Sequence, residues 1–234
     1  LYVDAEPSPD GRYVLAQFLK QPFSYLVPAR LFPLETRLVE LQTKEERVLF
    51  DRPLVESMLW SQDATLAGKR GFSWRSDCRA TLSWTEALDD GDPKKEVVER
   101  DALFIQDISE GLEPTCIFTT PYRFAGVYWG TENCAVVYER WWESRRARKQ
   151  VIDPSNVAQP EVLFERSLED AYNHPGSPEV VKNSWGRLVL KLTDKYELFL
   201  LGIGASEAGN IPFVDKYNLK EKTQNVEAAK DSLG

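Results

Sequence analysis

The chain is 234 residues long, 42% hydrophobic and 12% aromatic, which suffices for a substantial buried core in one or two domains. Lys and Arg number 29 against 37 Asp and Glu, a formal charge of -8, so long-range fields disfavour both nucleic acid and anionic membrane as partners. No apolar run approaches the roughly 20 residues of a membrane-spanning helix, and the opening LYVDAEPSPDGR lacks the charged-then-apolar pattern of a leader; a soluble globular chain is expected.

In chain order, Ser8, Pro9, Asp10 and Gly11 read as a turn ahead of the alternating Tyr13-Val14-Leu15-Ala16, giving a strand within 8–20. Residues 21–28, QPFSYLVP, continue as an extended segment, because two prolines rule out a helix interior. Strands over 32–41 and 47–50 follow, joined by the polar Thr43-Lys44-Glu45-Glu46, so the first unit holds about four strands. Residues 51–70 are less regular and read as a loop with one helical turn. The next unit opens on FSWRSDCRATLSWTEA (72–87), which alternates, breaks at Arg75-Ser76-Asp77-Cys78 and alternates again through Ala80, Leu82 and Trp84. That pattern is a hairpin with one face of each strand in a core. A polar excursion over 89–96 leads to strands at 102–108 and 115–119. The third unit holds 126–138, 145–152 and 161–164; the fourth holds 180–192, 196–201 and 213–219, before a polar tail over 221–234.

The turn-then-strand phrase recurs around Asp10, Asp77, Glu132 and Trp185, at spacings of 67, 55 and 53 residues. Four strands per unit, repeated, is the signature of β-propeller blades, since each small sheet buries its faces only against a neighbour. The expected fold class is therefore all-β, a partial β-propeller of about four four-stranded antiparallel blades, roughly 1–70, 71–124, 125–178 and 179–220. An irregular two-sheet sandwich is the competing architecture. Leu1 opens inside a unit, and four such blades fall short of a large ring, so a piece of a longer protein is expected. Trp60, Trp74, Trp84 and Trp129 read as blade core. Cys78, Cys116 and Cys134 have no CxxC spacing and read as unpaired thiols, which fits a reducing compartment.

Six phrases carry a family resemblance: PFSYLVP (22–28), TLSWTEALDDGDPKKEV (81–97), YRFAGVYWG (122–130), VYERWWESRRARKQVIDP (137–154), LFERSLEDAYNHPGSP (163–178) and GIGASEAGNIPFVDKYNL (202–219). In order and over nearly the whole chain, they resemble the amino-terminal propeller of the glutamyl endopeptidases, serine peptidases of the prolyl oligopeptidase family found in plastids and bacteria. The resemblance implies a propeller that caps a carboxy-terminal α/β-hydrolase domain missing from this chain. That domain would carry a Ser, Asp, His triad and cleave peptide or unfolded protein after acidic residues, chiefly Glu. It also implies a plastid stroma or a bacterial compartment.

The residues themselves provide no triad. A nucleophile elbow needs G-x-S-x-G, and Gly204-Ala205-Ser206-Glu207-Ala208-Gly209 has one residue too many. The single histidine, His174, stands in a Pro-Gly turn with no supporting acid in view. Family members that resemble this chain tend to carry Asp there, a departure that weakens any role for His174. No catalytic residue, cofactor or metal is therefore expected in this chain, and Asp89, Asp90 and Asp92 read as a solvated turn rather than a cation site.

The constellation with the best claim to function is Trp141-Trp142-Glu143-Ser144-Arg145-Arg146-Ala147-Arg148. Guanidinium groups bind carboxylates through planar two-point hydrogen bonds, and adjacent indoles hold cations in place. Alternation puts Arg146 and Arg148 on one face of an extended segment and Arg145 on the other. These three, with Arg123, are the candidate substrate-binding residues; ordinary salt bridges at a blade edge are the competing role. Two functions are open to such a chain: the non-catalytic propeller of a serine endopeptidase, gating access and helping to bind peptide, or a free-standing propeller used as a protein-binding scaffold.

Overall fold

The alternating segments form strands, and these strands pair antiparallel almost entirely with their neighbours in the chain. The computed structural model describes residues 1–57, 61–157, 160–221 and 223–225, and the chain divides into two units, Leu1–Tyr122 and Arg123–Gly234. Trp60 and most of the expected polar tail lie outside the described residues.

In the first unit, β1 (Tyr2–Pro7), β2 (Tyr13–Leu19), β3 (Leu34–Glu40) and β4 (Glu46–Arg52) form one sheet in sequential order. The next sheet, β5 (Gly68–Trp74), β6 (Thr81–Ala87), β7 (Asp101–Asp107) and β8 (Thr115–Thr120), repeats that order. In the second unit, β9 (Arg123–Thr131), β10 (Cys134–Trp141), β11 (Arg146–Ile152) and β12 (Glu161–Ser167) do the same. The last sheet is looser: β13 (Ser177–Pro178) pairs with β16 (Glu197–Gly202), followed by β17 (Phe213–Asn218) and β18 (Thr223–Asn225). Between them, β14 (Val180–Lys182) and β15 (Leu188–Leu190) form a separate hairpin, because residues 183–187 turn the chain where a single strand over 180–192 was expected. Each four-stranded antiparallel sheet is a blade, and the fold class is all-β, of the propeller type, with no α-helix among the described residues. A sandwich would pass strands between its two sheets; here successive local meanders fill successive sheets.

Each unit is held together by side chains from both of its blades. In the first, Tyr13, Leu15 and Leu38 pack with Trp74, Leu82 and Trp84 in one cluster, and the Trp74 indole donates to the Glu6 carbonyl at 2.9 Å. In the second, Val136 and Leu163 pack with Leu198, Leu200 and Tyr217.

The fourth strand of the first blade is β1, not residues 21–28. Pro22 and Pro28 have no N–H to give a ladder, and the segment loops out with Phe23, Tyr25 and Leu26 exposed. β1 pairs through its backbone while its side chains stay largely exposed, so it carries no hydrophobic signal. No helical turn is found among the described residues of 51–70. The middle strands, finally, bury both faces. In β6, Leu82 and Trp84 enter the shared core, while Thr81, Ser83 and Thr85 are buried on the opposite side. Ser83 lies 3.2 Å from the Ser73 hydroxyl and Thr81 donates to Asp107 at 3.2 Å, so this second face is polar but hydrogen-bonded.

The expected solvated turn at 89–92 is also partly interior. Asp89 is fully buried, accepts the Gly91 N–H at 3.0 Å and pairs with Arg100 at 3.0 Å, whereas Asp90 is exposed and pairs with Lys95. Gly91 has φ +78°, and a side chain there would collide with the Thr65 carbonyl, so the turn requires glycine.

Trp84 is 2% exposed and stacks between Phe72 and Phe104, with centroids at 5.6 and 5.8 Å. Trp84→Ala is expected to cost about 3–5 kcal/mol, read as a lowered urea midpoint for the chain.

Candidate functional site

The arginine cluster falls on the hairpin from β10 to β11, and its members separate. Arg145 occupies the turn with φ 55°, its guanidinium 4.3 Å from the Trp142 ring centroid and 3.4 Å from Glu169. Arg146 opens β11 and is exposed. Arg148 makes an ion pair with Glu139, a fully buried carboxylate that also accepts from Gln150 at 2.7 Å. Arg123 is buried, 5.8 Å from the Trp141 ring centroid. Alternation places Arg146 and Arg148 on one face as expected, yet Arg148 is engaged by Glu139 and Arg145 is stacked on an indole, so the hairpin does not collect its guanidiniums around one point.

The other face of the same sheet carries a cavity of about 210 Å³. Strand register explains its lining. Tyr138 pairs with Lys149 and Lys149 with Phe164, while Ala147 pairs with Arg166, and directly opposed residues share a face. Tyr128, opposite Val136 on β9, joins them. The loop after β12 adds His174 and Pro175 to the lining, the start of β13 adds Ser177, and Arg148 of β11 also borders the cavity. No carboxylate lines this cavity among the described residues.

Its cations are fixed by backbone. Lys149 Nζ donates to the Gly176 carbonyl at 3.0 Å, and Arg166 Nη1 donates to the carbonyls of Ser167 and Asp170 at 2.8 and 2.9 Å. Burial, aided by the positive charge of Arg166, pulls the Lys149 ammonium down to about 8. Burial likewise lowers the His174 imidazole, with Arg166 and Lys149 adding to it, and His174 Nδ1 accepts the Gly176 N–H at 3.0 Å. Gly176 has φ +88°, and a Cβ there would stand 3.0 Å from the Leu201 backbone, so the loop that meets both Lys149 and His174 depends on a glycine.

Sequence reasoning missed Lys149 and Arg166. Lys149 is submerged in the run RRARKQ, where charge alone suggests a solvated face, and only the register of β11 against β12 places it beside Arg166. Ser206 lies in a loop, its hydroxyl donating to the Gly209 carbonyl at 2.6 Å. Cys78, Cys116 and Cys134 are thiols, and burial raises that of Cys78 to about 11. Among the described residues no cluster of His, Cys, Asp or Glu has metal-site geometry, and no helix is long and apolar enough to cross a membrane.

No family model matches the chain. It is 35% identical over 226 residues to a probable chloroplastic glutamyl endopeptidase of Oryza sativa subsp. japonica, covering 94% of this chain and 24% of the relative. It is 36% identical over 227 residues to the corresponding Arabidopsis thaliana protein, with the same coverage of 94% and 24%. The chain thus spans about a quarter of the length of the curated relatives it matches. Among solved structures, the β-propeller domain of the Trilobed protease from Pyrococcus furiosus is 15% identical, with a TM-score of 0.47 over 100% of this chain and 60% of that one.

The lowered pKa of Lys149 makes a test of its environment. The folded state prefers the neutral amine, so below about pH 8 the ammonium is held at a cost; between about 8 and the ordinary value of 10.5 the unfolded chain keeps a proton the folded chain has released. Urea denaturation is therefore expected to show wild type gaining stability relative to Lys149→Met as pH rises through that window. A stability difference that stays flat there would remove the buried charge from this account.

Proposed function

We propose that this chain, 35% identical along 94% of its length to a probable chloroplastic glutamyl endopeptidase, is the non-catalytic propeller portion of a serine endopeptidase that cleaves after Glu. In this reading the blades limit access to a catalytic α/β-hydrolase domain carried elsewhere in the parent protein and help to hold the peptide substrate. The observation that carries it is the sequence match itself, which runs through all four blades of the chain and a quarter of the relatives' length. The relatives' chloroplastic description supports a plastid as the site of action.

Arg123, Arg145, Arg146 and Arg148 are proposed as the substrate-facing cations of this portion, with unequal claims. Arg146 is exposed and makes no ion pair among the described residues, so its substitution reads binding directly. Arg148 also neutralises the buried Glu139. Its removal takes a charge partner from a buried carboxylate and is expected to cost about 3–5 kcal/mol by analogy with other broken buried pairs.

The test compares the chain alone with the product of its whole reading frame, using blocked peptides that carry Glu or Gln at the cleaved position. The full product is expected to cleave after Glu and the chain alone to leave both peptides intact. Arg146→Ala in the full product is expected to raise KM for the Glu peptide severalfold with little change in kcat. Cleavage by the chain alone, abolished by Ser206→Ala, would overturn the division of labour; a full product with no peptidase activity would favour the protein-binding scaffold.

A further inference from the structure

The β9–β12 cavity holds Lys149 and Arg166 on one face with no carboxylate in its lining among the described residues, and Arg148, which also borders it, is paired with Glu139. Lys149 and Arg166 are diagonal neighbours across β11 and β12, since Lys149 opposes Phe164 and Arg166 opposes Ala147. Such neighbours are roughly 7–8 Å apart at the backbone, a separation that one bound anion bridges. Both keep donors in reserve. Lys149 gives one N–H to Gly176, and Arg166 uses Nη1 alone; the Nε and Nη2 of Arg166 make no hydrogen bond to the described residues. The guanidinium is thus oriented by two carbonyls through one nitrogen, and its side-on edge is left for a planar two-point partner.

We propose that this cavity is a binding site for a single carboxylate group attached to a short apolar stem. The anion would accept from the Nε–Nη2 edge of Arg166 and from Lys149 Nζ, while Tyr128, Tyr138 and Phe164 enclose the stem. The Tyr128 and Tyr138 hydroxyls make no hydrogen bond to the described residues and are further donors. A volume of about 210 Å³ lies below the roughly 300–1,000 Å³ of sites for drug-sized ligands, which selects an acidic side chain or a small carboxylic acid. Aromatic walls select a carboxylate on a hydrocarbon stem over inorganic phosphate. The site does not rest on the peptidase reading: strand register brings Lys149 and Arg166 together on the cavity whatever the parent protein does. Half-buried like charges also explain why an anion is drawn there: Arg166 disfavours the charged form of Lys149, and a bound carboxylate offsets that repulsion.

The test is calorimetric titration of the chain with N-acetylglutamate α-amide, N-acetylglutamine α-amide, glutarate and inorganic phosphate. The Glu amide is expected to bind at least about tenfold tighter than the Gln amide. Lys149→Met and Arg166→Gln are each expected to weaken Glu amide binding about tenfold while leaving the Gln amide unchanged; Arg166→Lys, which keeps the charge, is expected to restore part of the loss. Tryptophan emission matching wild type establishes that each variant is folded. Tighter binding of the Glu amide than of glutarate assigns the site to a peptide acid, and the reverse order assigns it to a free acid. Equal affinity for the Glu and Gln amides, phosphate binding tighter than either carboxylate, or indifference of the folded variants would overturn the proposal.

Discussion

A four-stranded sheet of seven-residue strands cannot bury both of its faces alone, and everything else in this chain follows from that constraint. The solution is stacking of one sheet on the next, and its chemical form in the first unit is a column of aromatic rings. Trp84 lies between Phe72 and Phe104 on its own sheet and shares a core with Tyr13 and Leu38 of the preceding one. The Trp74 indole adds a directional contact, donating to the Glu6 carbonyl on β1. Flat rings suit this place because they bury a large area at fixed thickness between sheets.

Burying both faces of the middle strands forces polar groups inside, and the chain meets this with internal partners. Asp89 with Arg100, Asp101 with Arg70, and Glu139 with Arg148 each join a fully buried carboxylate to an arginine that is less than a fifth exposed. The hairpin turn before β6 uses the same device, with Arg75 gripping Asp77 through two nitrogens at 3.1 and 2.7 Å. Such pairs add little net stability compared with apolar packing, but losing one partner strands a buried charge. They fix register instead: Arg148 opposes Glu139 directly across β11 and β10.

The same logic explains what the sequence could disclose. Hairpins at Asp77 and Glu132 were legible because period-two alternation and turn residues act locally, and β5, β6, β9 and β10 lie where that pattern puts them. β1 was not legible, since an edge strand with exposed side chains needs only its backbone to pair. Residues 21–28 misled because two prolines favour extended φ while forbidding ladder hydrogen bonds, and propensity cannot tell those apart. The buried polar face of β6 read as a solvent face because Thr and Ser satisfied by neighbours look the same in sequence as Thr and Ser satisfied by water. At the candidate site, the arginine-rich phrase lies on the hairpin that borders the cavity, and its Arg148 is among the lining residues, but nothing in the phrase brings Arg166 beside Lys149. Register across three strands decides which cations meet, and no single phrase holds that information.

The two faces of the β9–β12 sheet therefore handle positive charge in opposite ways. On one, Arg148 is matched to Glu139, which also accepts from Gln150. On the other, Lys149 and Arg166 are held by carbonyl oxygens, which orient a cation without neutralising it. A purely structural lysine in this setting would be better replaced by an apolar residue of similar length, because burial already drives its ammonium toward the neutral form. An arrangement that retains the cation and orients it through carbonyls, with no carboxylate in the cavity lining among the described residues, has the character of a site for an anion.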